Sequence, residues 1–183
     1  MSRYMIASDL HGDAAAVEKL IERYRGSGAD RLILLGDLLY HGPRNDLPKG
    51  YAPKRVIELL NGIADELLCV RGNCDTEVDS MVLSFPIMAD YAYLTDGGVS
   101  VFATHGHKFD MKAPPPLKRG EILLHGHTHV SGAWEFGREN LCLNPGSVSI
   151  PKESTPAGFI IWEGKQFDFY ELDKKTPYKS VKV

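Results

Sequence analysis

Cysteine is scarce in this 183-residue chain, and the three present (Cys69, Cys74 and Cys142) show no paired spacing. An odd, sparse set excludes a disulfide framework and points to free thiols in a reducing compartment. Long apolar runs are also missing. The longest sheet-like ones, Leu32–Leu35 and Ile122–Leu124, fall far short of the ~18–20 residues that a bilayer crossing needs. The opening Met1–Asp9 turns polar too early for the apolar segment of a signal peptide, so a cytoplasmic protein is expected. Nor is there an excess of one charge. With 21 basic and 24 acidic residues the formal net charge is −3, which argues against nucleic-acid or membrane-surface binding as the main role. No repeat appears at a fixed period, and no low-complexity tract exceeds the triple proline Pro114–Pro116.

What is present is apolar material for a core. The 43% of hydrophobic residues suits one globular domain over residues 1–183, burying roughly 70% of the extended-chain surface. Arg3–Ser8 reads as a buried strand. Ala14–Arg25 carries Val17, Leu20, Ile21 and Tyr24 at helix spacing, closed by Gly26-Ser27-Gly28. Arg31–Leu35 is a second strand, Tyr40–Pro53 a proline- and glycine-rich rim loop, Lys54–Ala64 a second helix and Glu66–Arg71 a third strand. Alternating strand and helix implies a parallel sheet. The second half instead offers short strands: Asp90–Thr95, Val99–Thr104, Glu121–His125, Gly132–Phe136, Leu141–Leu143, Gly158–Trp162 and Gln166–Leu172. Asp96-Gly97-Gly98 and Glu163-Gly164-Lys165 are hairpin signals. The pattern predicts two packed sheets around one core, with most helices from the first half. Residues 173–183, with four lysines and little apolar pattern, are expected to form a loose tail.

Six of the seven histidines fall in three groups: His11, the pair His105 and His107, and the trio His125, His127 and His129. Five segments, Asp9-Leu10-His11, Gly36-Asp37, Gly72-Asn73-Cys74-Asp75, Thr104-His105-Gly106-His107 and Gly126-His127-Thr128-His129, each follow an expected strand. Side chains just past the carboxyl ends of neighbouring strands converge, which is where α/β sheets bind ligands. Any one of these segments alone is an ordinary polar turn. Five together, all offering Asp, Asn or His, predict a metal site. In Gly-His-Thr-His the two imidazoles are expected on the same side of an extended segment.

Asp9, His11, Asp37, Asn73, His105, His127 and His129 are too many ligands for one ion and enough for two sharing a carboxylate, either Asp9 or Asp37. Imidazole with carboxylate suits Mn²⁺ foremost, with Fe, Zn²⁺ or Ni²⁺ as alternatives. Two such ions would bind a hydroxide and a phosphate and clamp an in-line displacement. Two divalent ions bring four positive charges and the two aspartates return two. A hydroxide with a singly charged phosphodiester neutralises the remainder, a monoester overshoots it.

These residues, in this order, resemble the calcineurin-like metallophosphoesterase superfamily over almost the whole chain, from Asp9 to Ser149. Its pattern is Asp-x-His, Gly-Asp, Gly-Asn-His-Asp/Glu, a lone His motif and Gly-His-x-His. The rim segment His41–Pro53, the Gly72–Asp75 block and Asn144–Pro151 look like the small bacterial and archaeal phosphodiesterases of the YfcE type. The resemblance implies a four-layer α-β-β-α sandwich of two mixed sheets flanked by helices. It places Asp9, His11, Asp37 and His129 on one metal and Asp37, Asn73, His105 and His127 on the other, with Asp37 as bridge. It implies a dinuclear phosphodiesterase acting on small phosphodiesters by attack of a metal-bound hydroxide, with Asn73 stabilising the developing charge. Cys74 stands where most of the superfamily has histidine, and a thiol is a poor substitute for that acid. Asp75 and His107 are the remaining catalytic candidates, and Arg44, Asn73 and Cys74 the substrate-binding ones. His41 and His125 read as rim and strand-end residues. The rival readings are a phosphomonoesterase or nucleotide-polyphosphate hydrolase, a nuclease lacking its basic groove, and a protein-binding scaffold like the retromer subunit. Apolar residues on the rim loop or the late strands could serve a homo-oligomer.

Overall fold

The structure is a computed structural model and describes residues 2–183. Strand β1 (Arg3–Ala7), helix α1 (Ala14–Ser27), strand β2 (Arg31–Leu34), helix α2 (Pro53–Asn61) and strand β3 (Leu67–Cys69) build the first half. β1–β2 and β2–β3 pair in parallel, Ile6 opposite Ile33 and Ile33 opposite Leu68. Asp13 caps α1 by accepting the Ala16 N–H at 3.0 Å, and Gly28, at φ 70°, closes it in the left-handed conformation. Helix α2 stops at Asn61 because Gly62 follows. Residues 64–66 then tighten into a single 3₁₀ turn where the sequence predicted the helix to end at Ala64 and the strand to begin at Glu66.

A short helix α3 (Glu77–Ser80) precedes β4 (Tyr91–Asp96), β5 (Val99–Thr104), β6 (Ile122–Leu124), β7 (Gly132–Phe136) and β8 (Asn140–Asn144). β9 (Gly158–Glu163), β10 (Gln166–Glu171) and β11 (Pro177–Lys182) complete the chain. One sheet has the order β11-β10-β9-β1-β2-β3, the other β4-β5-β6-β8-β7. Both are mixed: β1-β2-β3 and β5-β6-β8 are parallel trios with antiparallel strands outside them.

Alternation along the strands sorts the core into layers. Met5, Ala7, Leu32, Leu34, Phe159 and Ile161 pack under α1 and α2 with Val17, Leu20 and Leu60. Ile6, Ile33, Ile160, Trp162 and Phe167 point the other way, against Val101, Ile122, Leu124 and Leu143 of the second sheet. The outer face of that sheet is covered by the loop carrying Phe109 and Leu117, packed on Phe102, Leu123 and Cys142. That layer is loop rather than helix, because three prolines and little helical periodicity mark the stretch.

The expected loose tail is corrected. β11 is an edge strand paired with β10, Phe167 opposite Val181 and Phe169 opposite Lys179. Its side chains are mostly exposed, so no apolar alternation betrays it. Backbone pairing and the Ser180 hydroxyl donating to Asp168 at 2.5 Å hold it, and its lysines discourage further strands from adding. α3 was also missed. Four residues are too short for a periodic signal, and its capping box, Thr76 with Asp79, defines it instead.

Candidate metal centre

All seven predicted ligands lie just past strand ends: Asp9 and His11 after β1, Asp37 after β2, Asn73 after β3, His105 after β5, His127 and His129 after β6. The two parallel trios thus deliver their loops to one end of the sandwich. The backbone there is strained. Asp9 (φ 57°), His11 (45°), Asp37 (56°), His127 (63°) and His129 (61°) are five of the eight non-glycine residues with positive φ among the described residues. Such a conformation costs about 1–3 kcal/mol per residue and persists where the surroundings over-determine it. The extended Gly-His-Thr-His expected from sequence is therefore corrected: His127 and His129 each turn the chain left-handed and serve different neighbours.

The surroundings that hold this strain are explicit. Ser147 Oγ and Ser149 Oγ both donate to the Asp9 carbonyl, at 2.7 and 3.0 Å. His11 N–H donates to Asp37 O at 2.9 Å, and Gly126 N–H to His105 O at 2.8 Å. Asn144, fully buried, donates to Gly126 O (2.8 Å) and Thr128 Oγ1 (3.0 Å), pinning the Gly126–His129 loop. The first sheet reaches across to the second through Asp9 Oδ2, which accepts the His127 N–H at 2.9 Å. Gly126 admits this contact, since a Cβ there would strike Ser8 Oγ and Asp9 Oδ2.

The imidazoles then reveal their tautomers. Nδ1 of His11, His129 and His105 each sits 2.7 Å from a carbonyl, those of Tyr40, Ile150 and Leu35. A carbonyl only accepts, so each Nδ1 carries hydrogen and each neutral ring turns its Nε2 lone pair inward. Nε2 of His11 and Nε2 of His129 face each other at 3.1 Å. Asp9 Oδ1 joins them, 3.2 Å from His129 and 3.6 Å from His11, buried and without any hydrogen-bond donor. With both rings neutral, three acceptors converge without a donor and repel unless a cation lies among them. This donor set fits a divalent ion.

A second group adjoins. His105 Nε2 is 3.1 Å from Asn73 Oδ1, 3.2 Å from His127 Nδ1 and 3.4 Å from Asp37 Oδ2. The same Asp37 Oδ2 lies 3.7 Å from His11 Nε2, so this carboxylate stands between the two groups. Its Oδ1 is held by the Cys74 N–H at 2.8 Å. In the bare chain, protons on the imidazoles supply the positive charge that the two aspartates call for. Burial opposes protonation of His105, yet Asp37 and Asp9 raise its pKa to about 9. Burial and His105 push His127 down to about 4, keeping it neutral. Burial raises the Asp9 carboxyl, but His11 and His129 overcome this and hold it well below the usual carboxylate range.

Comparison with known proteins matches residues 3–166 to the calcineurin-like phosphoesterase superfamily domain. The chain belongs to that superfamily. It is 48% identical over 183 residues to phosphodiesterase YfcE of Escherichia coli (strain K12), covering all of this chain and 99% of that protein. The solved structure of YfcE, a phosphoesterase from E. coli, superposes with a TM-score of 0.94 at 42% identity, covering 99% of both chains. The solved wild-type Vps29 of Entamoeba histolytica complexed with zinc shares the fold, with a TM-score of 0.61 at 19% identity over 99% of this chain and 98% of that one.

In this calcineurin-like chain five of the candidate ligands, His11, Asp37, Asn73, His127 and His129, border a hollow of about 40 Å³, lined also by Gly42, Pro43, Arg44, Asn45, Cys74 and Lys152. Larger hollows, of about 440 and 500 Å³, lie around Arg23 and Tyr170 and around Tyr93 and Arg119; neither gathers imidazoles and carboxylates. Cys74 Sγ reaches the group of His11 and Asp37. Burial and the Asp37 carboxylate push its thiol upward, away from thiolate; a cation acts in the opposite sense. Asp75 is a catalytic candidate that the sequence offers beside Asn73 and His107. Its carboxylate is 1% exposed and accepts the N–H groups of Gly72 (2.7 Å), Asp37 (2.8 Å) and Leu38 (2.9 Å), so it shapes the backbone beneath Asp37. His107 is exposed beside His127, ring centroids 6.2 Å apart, and does not line the hollow. Burial and His105 lower its pKa. His125 is buried and donates from Nδ1 to Gly126 O at 3.0 Å, and His41 packs edge-on against Tyr40 and Tyr51. Sequence reading missed Lys152 at the hollow and the two serines on the Asp9 carbonyl. A solvated lysine in a loop carries no motif; the serines lay within the recognised Asn144–Pro151 segment.

Proposed function

We propose that this chain is a phosphodiesterase that works with two divalent ions. The observation that carries the reading is the His11–His129–Asp9 triple, three buried acceptors meeting without a donor. Asp9, His11, Asp37 and His129 would hold one ion and Asp37, Asn73, His105 and His127 the other, with Asp37 shared. Mn²⁺ suits this imidazole–carboxylate set, with Fe, Zn²⁺ or Ni²⁺ next. When bound, the ions lower the pKa of coordinated water and neutralise charge on the phosphate.

The chain's own residues do the positioning. The Nδ1–H bonds to Tyr40, Ile150 and Leu35 aim three Nε2 atoms before any ligand arrives. The Cys74 N–H fixes Asp37, and three backbone amides around Asp75 fix the loop that bears it. Asn73, exposed at the mouth, offers a neutral amide to the incoming phosphate. Burial of Asp9, Asp37, His105 and His129 keeps competing water out of the ligand cluster. The name of the E. coli relative supports diester hydrolysis, as does the want of a side-chain acid near the hollow. The reading takes the chain as a single domain acting in the cytoplasm. Chelator treatment followed by Mn²⁺ add-back, with bis(para-nitrophenyl) phosphate, tests it. Activity should vanish and return, and Asp37→Asn or His127→Ala should abolish it. Substantial activity in either variant would contradict the assignment.

A further inference from the structure

The two sheets end in four outer strands: β11 and β3 on one, β4 and β7 on the other. A free strand edge is a row of unpaired N–H and C=O groups that takes up another strand unless something prevents it. Three of the four edges are defended. β11 opens on Pro177, carries Lys179 and Lys182, and its pairing with β10 shifts between Phe169 and Tyr170. β3 has only three residues, and just beyond it the Arg71 N–H is taken by the Ala89 carbonyl. β7 opens on Gly132 and carries the exposed Glu135. β4 has no such device. Its six residues, Tyr91-Ala92-Tyr93-Leu94-Thr95-Asp96, include no proline, glycine or lysine and pair with β5 in unbroken register.

The hairpin fixes which way the β4 backbone points. Asp96 stands opposite Val99 across a two-residue turn, so this pair and the alternate pairs Leu94–Val101 and Ala92–Ala103 exchange the bonds to β5. The backbone groups of Tyr91, Tyr93 and Thr95 therefore point outward, and among the described residues none of them has a partner. Ala92 and Leu94 pack into the layer between the sheets and hold the strand in place. The outer side chains leave the edge bare. Tyr91 and Tyr93 are about half exposed, yet both lean back over their own sheet. The Tyr91 ring stacks on Phe102 with centroids 4.8 Å apart, and the Tyr93 hydroxyl donates to Glu121 beside β6.

We propose that β4 is a homodimer interface, in which the β4 strands of two copies pair antiparallel about a two-fold axis at Tyr93. Two five-stranded sheets then become one continuous sheet. A second copy is the occupant because this edge complements itself. With Tyr93 opposite Tyr93, Tyr91 faces Thr95 in both directions, and each of these pairs exchanges two backbone bonds. Pairing of a strand with its own copy is isologous and closes at two chains, so no edge of this kind is left over. The charges agree with the same register. Asp96 of each copy comes opposite Asp90 of the other, and Lys108, ion-paired to Asp90 at 2.7 Å, supplies the cation between them. Between those ends the strand carries no charge with which to select a nucleic acid or another charged partner.

Sedimentation equilibrium on the full chain tests the interface. Wild type at about 100 µM should weigh as two chains or a multiple of two. Tyr93→Lys sets two ammonium groups directly across the axis and should raise the dissociation constant about tenfold or more; Tyr93→Glu should do the same with two carboxylates. An equimolar mixture of the two variants should associate again, because opposite charges then meet across the axis. Hydrogen exchange decides the matter without any variant. In associated wild type the amides of Tyr91, Tyr93 and Thr95 should exchange within about tenfold of those of Ala92 and Leu94, whereas on a free edge they exchange about a hundredfold faster or more. A wild type that stays monomeric at about 100 µM, or that associates while these three amides exchange freely, overturns the proposal. So does a folded Tyr93→Lys that associates as wild type does, and a mixture that stays apart overturns the axis at Tyr93.

Discussion

Stripping divalent ions from the purified protein should lower its melting temperature by about 10–20 °C. The magnitude comes from two independent sides of the site. Five ligand-bearing residues sit at positive φ, and at about 1 kcal/mol each that is on the order of 5 kcal/mol of strain, held in the bare chain by contacts such as those of Ser147, Ser149 and Asn144. The facing Nε2 atoms of His11 and His129 and the donorless Asp9 Oδ1 add repulsion to it. On the binding side, an ion at a hundred times its Kd stabilises by about 2.7 kcal/mol, so two ions give about 5 kcal/mol. For a chain of this length each kcal/mol moves the melting temperature by about 2–4 °C. Scanning calorimetry of chelator-treated protein across a Mn²⁺ titration measures the shift directly. Asp37→Asn, which removes the shared carboxylate, should lose more than half of it. A melting temperature indifferent to Mn²⁺, or a full shift preserved in Asp37→Asn, would refute the idea that these side chains meet around cations.

Further outcomes follow from single contacts. Asp75→Ala leaves the buried amides of Asp37, Leu38 and Gly72 without an acceptor, at about 1–3 kcal/mol each. Chemical denaturation should therefore show a loss of about 3–9 kcal/mol, and a variant of unchanged stability would speak for a catalytic rather than a structural Asp75. Gly126→Ala places a methyl against Ser8 Oγ and Asp9 Oδ2, so metal content by elemental analysis should fall, and full metal occupancy would deny that close approach. Cys74→His should raise hydrolysis of phosphomonoesters relative to diesters; an unchanged ratio removes Cys74 from substrate choice.

Much of the architecture was legible because periodicity is a local property. β5 and β7 fall on the spans their alternation predicts, and α1 and the parallel first half follow from their patterns. β11 was not legible, since its pairing is backbone to backbone and its side chains stay in solvent. The seven candidate ligands were legible too, because each is a polar residue set just after an apolar run. Their chemistry as donors is written in their side chains.

Which donors face each other is a different kind of fact. It depends on two sheets packing through Ile6, Ile33, Trp162 and Leu143, and so bringing loops of remote chain position to one end of the sandwich. Left-handed backbone at Asp9, His11, Asp37, His127 and His129 has no residue signature, because it is imposed by contacts such as Ser147 and Ser149 on the Asp9 carbonyl. The surroundings of Asp75 were decided in the same way, its carboxylate taken up by amides of Gly72, Asp37 and Leu38. Residue types declare which atoms can bind a cation; only packing between segments far apart in the chain decides which of them do so together.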